Sequence, residues 1–315
     1  MNARTLRRLG VLLVVLVAVW LGVGMLRRAG RDTERRLTLA RFDPKAVDHL
    51  WIVAATDTLR FDRVAAAAPR RAGAARGPAW DVNGLPADGS EVTDLLASLA
   101  DTGAQSELVG EQAASLHALG LDSAAARRVT VLEGSRTVLE LLVGRQAQGY
   151  GTVYVRRPGE NASYQLSGRL SDLAYRRLDD WRDKLVAAIA PENIARIEVQ
   201  RASDRYTLSR SGASWRLGSR DADTLKVGAL LSRFRDLAAI GFATAAQADS
   251  FARRKPGEKG MRVVRVLDSG GKPLLALTLD STSGGWWARR EGDSTTFKLD
   301  GFTADGVTPA DSTLR

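Results

Sequence analysis

Residues 80–99, WDVNGLPADGSEVTDLLASL, return 135 positions later as residues 215–234, WRLGSRDADTLKVGALLSRF. Trp80 meets Trp215, Ala87 meets Ala222, Asp88 meets Asp223, Val92 meets Val227, and Leu95-Leu96 meets Leu230-Leu231. Six of the twenty positions are identical, where average composition predicts only about one or two. Spacing inside each stretch names the element. Val92, Leu95, Leu96 and Leu99 fall at i, i+3, i+4 and i+7, as do Val227, Leu230, Leu231 and Phe234, so each copy carries a helix with one apolar face. Asp88 and Asp223 stand four residues ahead of the first core position, where a short carboxylate can accept hydrogen bonds from first-turn amides. Both aspartates therefore read as helix caps rather than as catalytic acids.

Working outward, the copies keep the same order. Val47–Ala54 and Thr58–Arg63 alternate as a strand and its hairpin partner, matched by Ile194–Gln200 and Arg205–Arg210. Residues 79–82 correspond to 214–217, and the Ala/Arg/Gly/Pro segment Ala65–Gly77 of the first copy reads as a surface loop insertion. Beyond the helix, residues 129–132 align with 264–267 at an offset of 135, residues 139–143 with 275–279 at 136, and Tyr154-Val155-Arg156-Arg157 with Trp287-Ala288-Arg289-Arg290 at 133. Gly159 meets Gly292, Tyr164-Gln165-Leu166 meets Phe297-Lys298-Leu299, and Gly168 meets Gly301. Each copy is an α+β module: three strands, a helix, then about four strands, predicting a mainly antiparallel sheet covered by its helix.

Between the copies, Leu170, Leu173, Ala174, Leu178, Trp181 and Leu185 can share one face of a helical connector that Pro191 ends. The last residues, 303–315, are polar and without periodicity, and read as a mobile tail. The predicted division is a short N-terminal segment 1–8, a transmembrane anchor 9–26, a juxtamembrane linker 27–44, a first α+β module 45–169, a helical connector 170–191, a second α+β module 192–302 and the tail 303–315.

The anchor rests on Leu9–Leu26, eighteen residues without a charge, or roughly 27 Å of helix, near the bilayer's hydrocarbon thickness. A cleaved signal peptide competes with it, because Arg4, Arg7 and Arg8 form a basic n-region and Gly22 and Gly24 permit cleavage. Against cleavage, no Ala-x-Ala site follows and Arg27-Arg28 abut the run. Arginines 27, 28, 31, 35 and 36 would by the positive-inside rule hold the domain in the cytoplasm. The preceding tail is only eight residues, however, and long domains are translocated largely regardless of charge. The expectation is a single-pass protein of the bacterial inner membrane with the bulk of the chain extracytoplasmic (periplasmic), a cytoplasmic domain being the alternative. Zero cysteines exclude disulfides and lipidated cysteine.

At 315 residues and 44% apolar content the chain can bury two cores, and the net charge of +10 falls to +5 once arginines 4, 7, 8, 27 and 28 are set aside. The pairs Arg127-Arg128, Arg156-Arg157, Arg176-Arg177 and Arg289-Arg290 are dispersed among acids, so a solvated surface is expected and no nucleic-acid partner. His49 and His117 have no metal-ligand spacing, and no Walker loop, G-x-G-x-x-G or G-x-S-x-G is present. Asp179, Asp180, Asp183 and Glu192 cluster in a segment of mixed charge, usually a solvated face. Among seven tryptophans, Trp80, Trp215 and Trp287 occupy repeat-equivalent places and suggest core packing, whereas Trp286 should face the other side of its strand and expose its ring. No catalytic, cofactor-binding or metal-binding residue is assigned, and no cofactor.

Taken in order, Trp51-Ile52-Val53, Leu119-Gly120-Leu121-Asp122, Leu142-Val143-Gly144, Tyr154-Val155-Arg156 and Trp181-Arg182-Asp183-Lys184 resemble the bacterial family known as domain of unknown function 4340, over roughly residues 45 to 300. The resemblance implies one N-terminal membrane helix, an extracytoplasmic domain and, for many members, genes beside an ABC transporter of the gliding-motility type. It implies no catalytic residues. The functional expectation is a non-catalytic accessory or scaffold protein of the cell envelope, associated with the inner membrane and with a transporter or other envelope protein. An envelope glycan- or lipid-binding module using Trp286 and Arg289-Arg290 is the alternative, and a hydrolase with an unrecognised site is a third reading.

Overall fold

A computed structural model describes residues 37–64, 79–101, 106–167, 169–201, 204–255, 257–282 and 285–315. The expected anchor at 9–26 and the Ala65–Gly77 loop lie outside these residues. Among the described residues no helix is long and apolar enough to cross a membrane.

The first copy runs β1 (His49–Val53), β2 (Thr58–Val64), β3 (Ala79–Val82), β4 (Leu85–Pro86), helix α1 (Gly89–Ala100), β5 (Ser106–Gly110), a single helical turn α2 (Leu116–Leu119), then β6 (Arg127–Glu133), β7 (Arg136–Gln146), β8 (Thr152–Arg156) and β9 (Ser163–Ser167). Two one-turn helices close it, α3 (Asp172–Tyr175) and α4 (Leu178–Trp181). A short strand β10 (Leu185–Ala187) opens the second copy, followed by β11 (Arg196–Arg201), β12 (Asp204–Ser211), β13 (Ser214–Leu217), β14 (Arg220–Asp221) and helix α5 (Thr224–Arg235). The chain ends with β15 (Leu237–Ala238), β16 (Gly241–Phe242), helix α6 (Ala245–Arg253), β17 (Met261–Leu267), β18 (Pro273–Thr282), β19 (Gly285–Arg290), β20 (Phe297–Leu299), helix α7 (Gly301–Val307) and a closing 3-10 turn at Asp311–Leu314.

Both copies form a nine-stranded antiparallel sheet, ordered β4-β3-β2-β1-β6-β7-β8-β9-β5 in the first and β14-β13-β12-β11-β17-β18-β19-β20-β16 in the second. Strand for strand, the orders are the same. Registers agree as well. Leu50 and Ile52 oppose Val131 and Val129, as Ile197 and Val199 oppose Val266 and Val264. Val155 lies between Val143 and Tyr164, as Ala288 lies between Leu279 and Phe297. A one-residue slip would turn every core side chain to the other face, so a sheet with one buried face holds its register firmly through duplication.

By packing, the chain divides into two compact units, one holding the chain up to Arg60 with Asp94–Arg176, the other Phe61–Thr93 with Arg177–Arg315. In the second unit a continuous core joins Ile197, Val199, Leu208, Trp215, Val227, Leu230, Leu231, Phe234, Val264, Val266, Leu277, Leu279 and Phe297. In the first unit Leu50, Ile52, Val129, Val131, Leu141 and Leu166 are buried to 2% exposure or less.

Three expectations are corrected. The connector is not one helix: it breaks at Arg176-Arg177 into α3 and α4, then extends into β10, which pairs antiparallel with β15. Arg176 and Arg182, which end the two turns, both hold extended backbone. The tail from 303 to 315 is packed rather than mobile, because Ala304 and Val307 at i, i+3 and Leu314 beyond them are 0–2% exposed. Asp300 caps α7 by accepting from the Thr303 amide at 2.7 Å. Finally, Leu37 and Leu39, assigned to the linker, are buried to 5% and 4%. At an offset of 147 they match Lys184 and Val186 of the second copy.

Candidate functional site

Three of the family-like motifs converge on one place in the first unit. Helix α2 ends at Gly120, whose φ of +67° only glycine adopts without strain, and its amide donates to the His117 carbonyl. The chain then lies so close to β7 that a Cβ on Gly144 would overlap the Leu119 carbonyl oxygen and stand 3.0 Å from the Leu121 side chain. A Cβ on Gly120 would stand 2.7 Å from the Arg145 side chain. From β8, the Arg156 guanidinium Nε donates to the Leu121 carbonyl at 2.8 Å and its Nη1 to the Glu160 carbonyl at 2.9 Å. Asp122 finishes the turn, accepting from the amides of Ala124 and Ala125 at 3.0 and 2.9 Å and meeting His117 Nδ1 at 2.8 Å. That His117 contact, with the two amides, holds the Asp122 carboxyl below its ordinary value. The charged groups of these motifs, Asp122 and Arg156, are spent on backbone amides and carbonyls.

The last of the five motifs, Trp181–Lys184, makes a clasp inside the second unit. Trp181 is 1% exposed and meets the Phe61 ring edge-on, centroids 5.3 Å apart. Its carbonyl accepts from the Asp88 amide at 2.9 Å, and the Asp183 amide donates to the Pro86 carbonyl at 2.9 Å. Arg182 lies 3.5 Å over the Phe242 ring and pairs with Asp179 at 3.0 Å. The second copy repeats the key bond, the Asp223 amide donating to the Leu314 carbonyl at 3.0 Å. At the repeat offset Leu314 stands where Trp181 does, so the presumed connector and the presumed tail are the same closing segment of two modules.

The caps are as the sequence implies. Asp88 accepts from the Ser90 amide at 3.0 Å, and Asp223 from the amides of Leu225 and Lys226 at 2.9 and 3.1 Å. The Lys226 amide depresses the Asp223 carboxyl, and the Thr303 amide does the same to Asp300. A carboxylate depressed in the folded state contributes stability above its unfolded value, about 3.9, and loses it as pH falls through the lower folded value. Melting temperatures of Asp223→Asn and Asp300→Asn should therefore lie below the parent at neutral pH, with the gap closing below about pH 4. A gap independent of pH would mean that the carboxylate charge contributes nothing.

Trp80 and Trp215 are core residues, 2% and 4% exposed, each covered by an arginine of the neighbouring strand: Arg63 at 4.7 Å and Arg210 at 5.2 Å. Sequence reasoning missed these two arginines, although the 147-residue offset that relates them was readable. Trp287 is buried at 5% as expected. Trp286 departs from expectation: its ring packs partly against the second unit's core, with Arg262 stacked 4.0 Å above it. The faces did alternate, but α6 lies beside Trp287's face, where Arg289 reaches the Ala248 carbonyl, so neither ring forms an open platform.

The paired arginines are mostly engaged. Arg127 donates to the Arg176 carbonyl, Arg128 pairs with Glu140, Arg157 with Glu160, Arg176 with Asp172 and Arg290 with Asp293. Among the described residues no group of three or more metal-ligating side chains gathers. His49 lies in β1 and His117 in α2, within different elements. Asp180 accepts from the Arg177 amide, Asp183 from the Leu185 amide and Asp179 from Arg182, so these carboxylates hold turns. A cavity of about 240 Å³ in the first unit is lined by residues 38–40, 138–141 and Arg157. Its charged groups are occupied: Glu140 pairs with Arg128, and Arg157 donates to the Thr38 carbonyl at 2.6 Å.

Fold and site together define a tandem duplication of one α+β sheet module, with its distinctive motifs used as internal clasps. The sequence model of a family described as a domain of unknown function (DUF4340) matches residues 80–256, and the chain belongs to that family. No curated protein and no solved structure matches it.

Proposed function

We propose that this chain is a non-catalytic accessory or scaffold protein of the bacterial envelope, anchored in the inner membrane by residues 9–26, with its modules on the extracytoplasmic side beside an ABC-transporter-type complex. The observation that supports this reading is the use of the family motifs. Gly120, Gly144, Arg156 and Trp181–Asp183 fix backbone within each unit instead of lining the cavity at 138–141. Duplication with retained strand order also suits a protein that presents surfaces. A glycan-binding role through Trp286 has less support, since that ring is half-buried under Arg262.

Cross-linking in living cells tests the reading. A photo-reactive residue placed at Trp51, which is 38% exposed on β1 in the first copy, is expected to capture a transporter or other envelope protein. A reporter fused after Arg315 is expected to be active only outside the cytoplasm. Recovery from membranes as a strict monomer, with no adduct from any exposed position, would defeat the scaffold role.

A further inference from the structure

The two copies share a fold but not a charge. Residues 37–183 hold 17 Lys and Arg against 19 Asp and Glu, whereas residues 184–315 hold 21 against 15. In the second copy four of these arginines lie on one surface. Ile197, Val199, Leu208, Trp215, Leu217, Val264 and Val266 turn one face of the sheet into the core, so the alternate residues face away. There Arg196, Arg205, Arg216 and Arg265 are all exposed. They span four neighbouring strands, β13-β12-β11-β17, a width of about 15 Å at the usual strand separation.

Arg196, Ser209 and Arg216 form one row across three strands, Arg265 opposes Glu198, and Arg205 opposes Gln200. Glu198 opposes Arg265 and Asp221 opposes Arg216 on the same surface, yet among the described residues the ion pairs of this unit use other residues. Two of the four arginines spend one donor each on neutral oxygens, Arg205 on Gln200 Oε1 and Arg216 on the Ser219 carbonyl, both at 2.7 Å. All four stay exposed. At the matching positions the first copy has His49, Thr58, Asp81 and Thr130, so nothing in the fold demands arginine there.

We propose that this outer face of the second copy docks on an anionic phospholipid surface, its four arginines meeting headgroup phosphates. An array of guanidiniums spread over an exposed sheet face fits many phosphates in a plane. The inference rests on the membrane-anchored reading above, which keeps the module within reach of a bilayer.

Because the chain contains no cysteine, a single Thr207→Cys change in the middle of the face can carry a fluorophore in the full-length protein. Ser232→Cys, exposed on α5, serves as the control. Each is reconstituted into vesicles of phosphatidylcholine alone or mixed with phosphatidylglycerol, both containing a headgroup spin-labelled quencher. Quenching at position 207, and not at 232, is expected only in anionic vesicles. It should fall by more than about tenfold when the four arginines become glutamine, or when salt is raised on the protein with its arginines intact. The salt arm needs no altered fold. Equal quenching in neutral vesicles, or none in either, overturns the proposal. So does a fluorescence response to soluble poly-L-glutamate or duplex DNA without one to anionic vesicles, which would assign the face to a protein or nucleic-acid partner. Failure of the anchor reads separately: a chain that floats with anionic but not neutral vesicles lacks the anchor and keeps the face.

Discussion

Gly144→Ala is expected to destabilise the protein by about 3 kcal/mol, as overpacking against immovable backbone does. The added methyl would overlap the Leu119 carbonyl oxygen and press on Leu121, itself 0% exposed. Relief would require the 119–122 turn to lift from β7, and the Arg156 bond to the Leu121 carbonyl would go with it. Urea denaturation followed by fluorescence should show the loss, and hydrogen exchange should rise at residues 119–126 first. A sharp contrast is available in the second copy. Gly228 sits inside α5 with nothing within 4 Å of where its Cβ would be, so Gly228→Ala should stabilise by about 0.5–1 kcal/mol through helix propensity. Similar effects at the two sites would refute the close-approach account.

Trp181→Ala should cost about 3–5 kcal/mol, the range for a large aromatic removed from a core that cannot fully collapse. Trp181 is among the largest fully buried side chains, and its edge contact with Phe61 adds to the burial term. The repeat supplies the control. Leu208 and Leu314 occupy the positions of Phe61 and Trp181 in the second copy and lie in its core, so the site can be built from smaller residues. Trp181→Leu should cost only about 2 kcal/mol, because the carbonyl that accepts from Asp88 is backbone and survives either change. Equal losses for both variants would mean that indole shape, not volume, holds the clasp.

The helices and caps were legible because their signals are local. Val92, Leu95, Leu96 and Leu99 report a face through spacing alone, and Asp88 reports a cap by its place before them. The closing segments were not, since a single turn such as Leu178–Trp181 carries too few residues to show a period, and its bond to Asp88 spans ninety-odd positions. The tail looked polar because its buried apolar residues are just Ala304, Val307 and Leu314, set beside a buried Thr308 and among exposed or capping polar residues. Trp286 was misplaced for a different reason. Alternation correctly set it opposite Trp287, but which side lies open depends on α6 and on Arg262.

The sequence by itself determined the duplication and its registers, since core apolar positions keep their spacing wherever a sheet has one buried face. Offsets of 135, 136 and 133 read from the chain are the ones the paired strands keep. Only the tertiary structure decided where each module ends, what the family motifs do, and which surfaces stay uncovered. Those depend on how distant segments pack: Leu119 against Gly144, Trp181 against Phe61, and nothing among the described residues packed closely enough to bury Arg196, Arg205, Arg216 and Arg265. Such contacts leave no periodic trace in a chain, because a glycine kept for closeness and an arginine left exposed look the same in sequence as any other glycine or arginine.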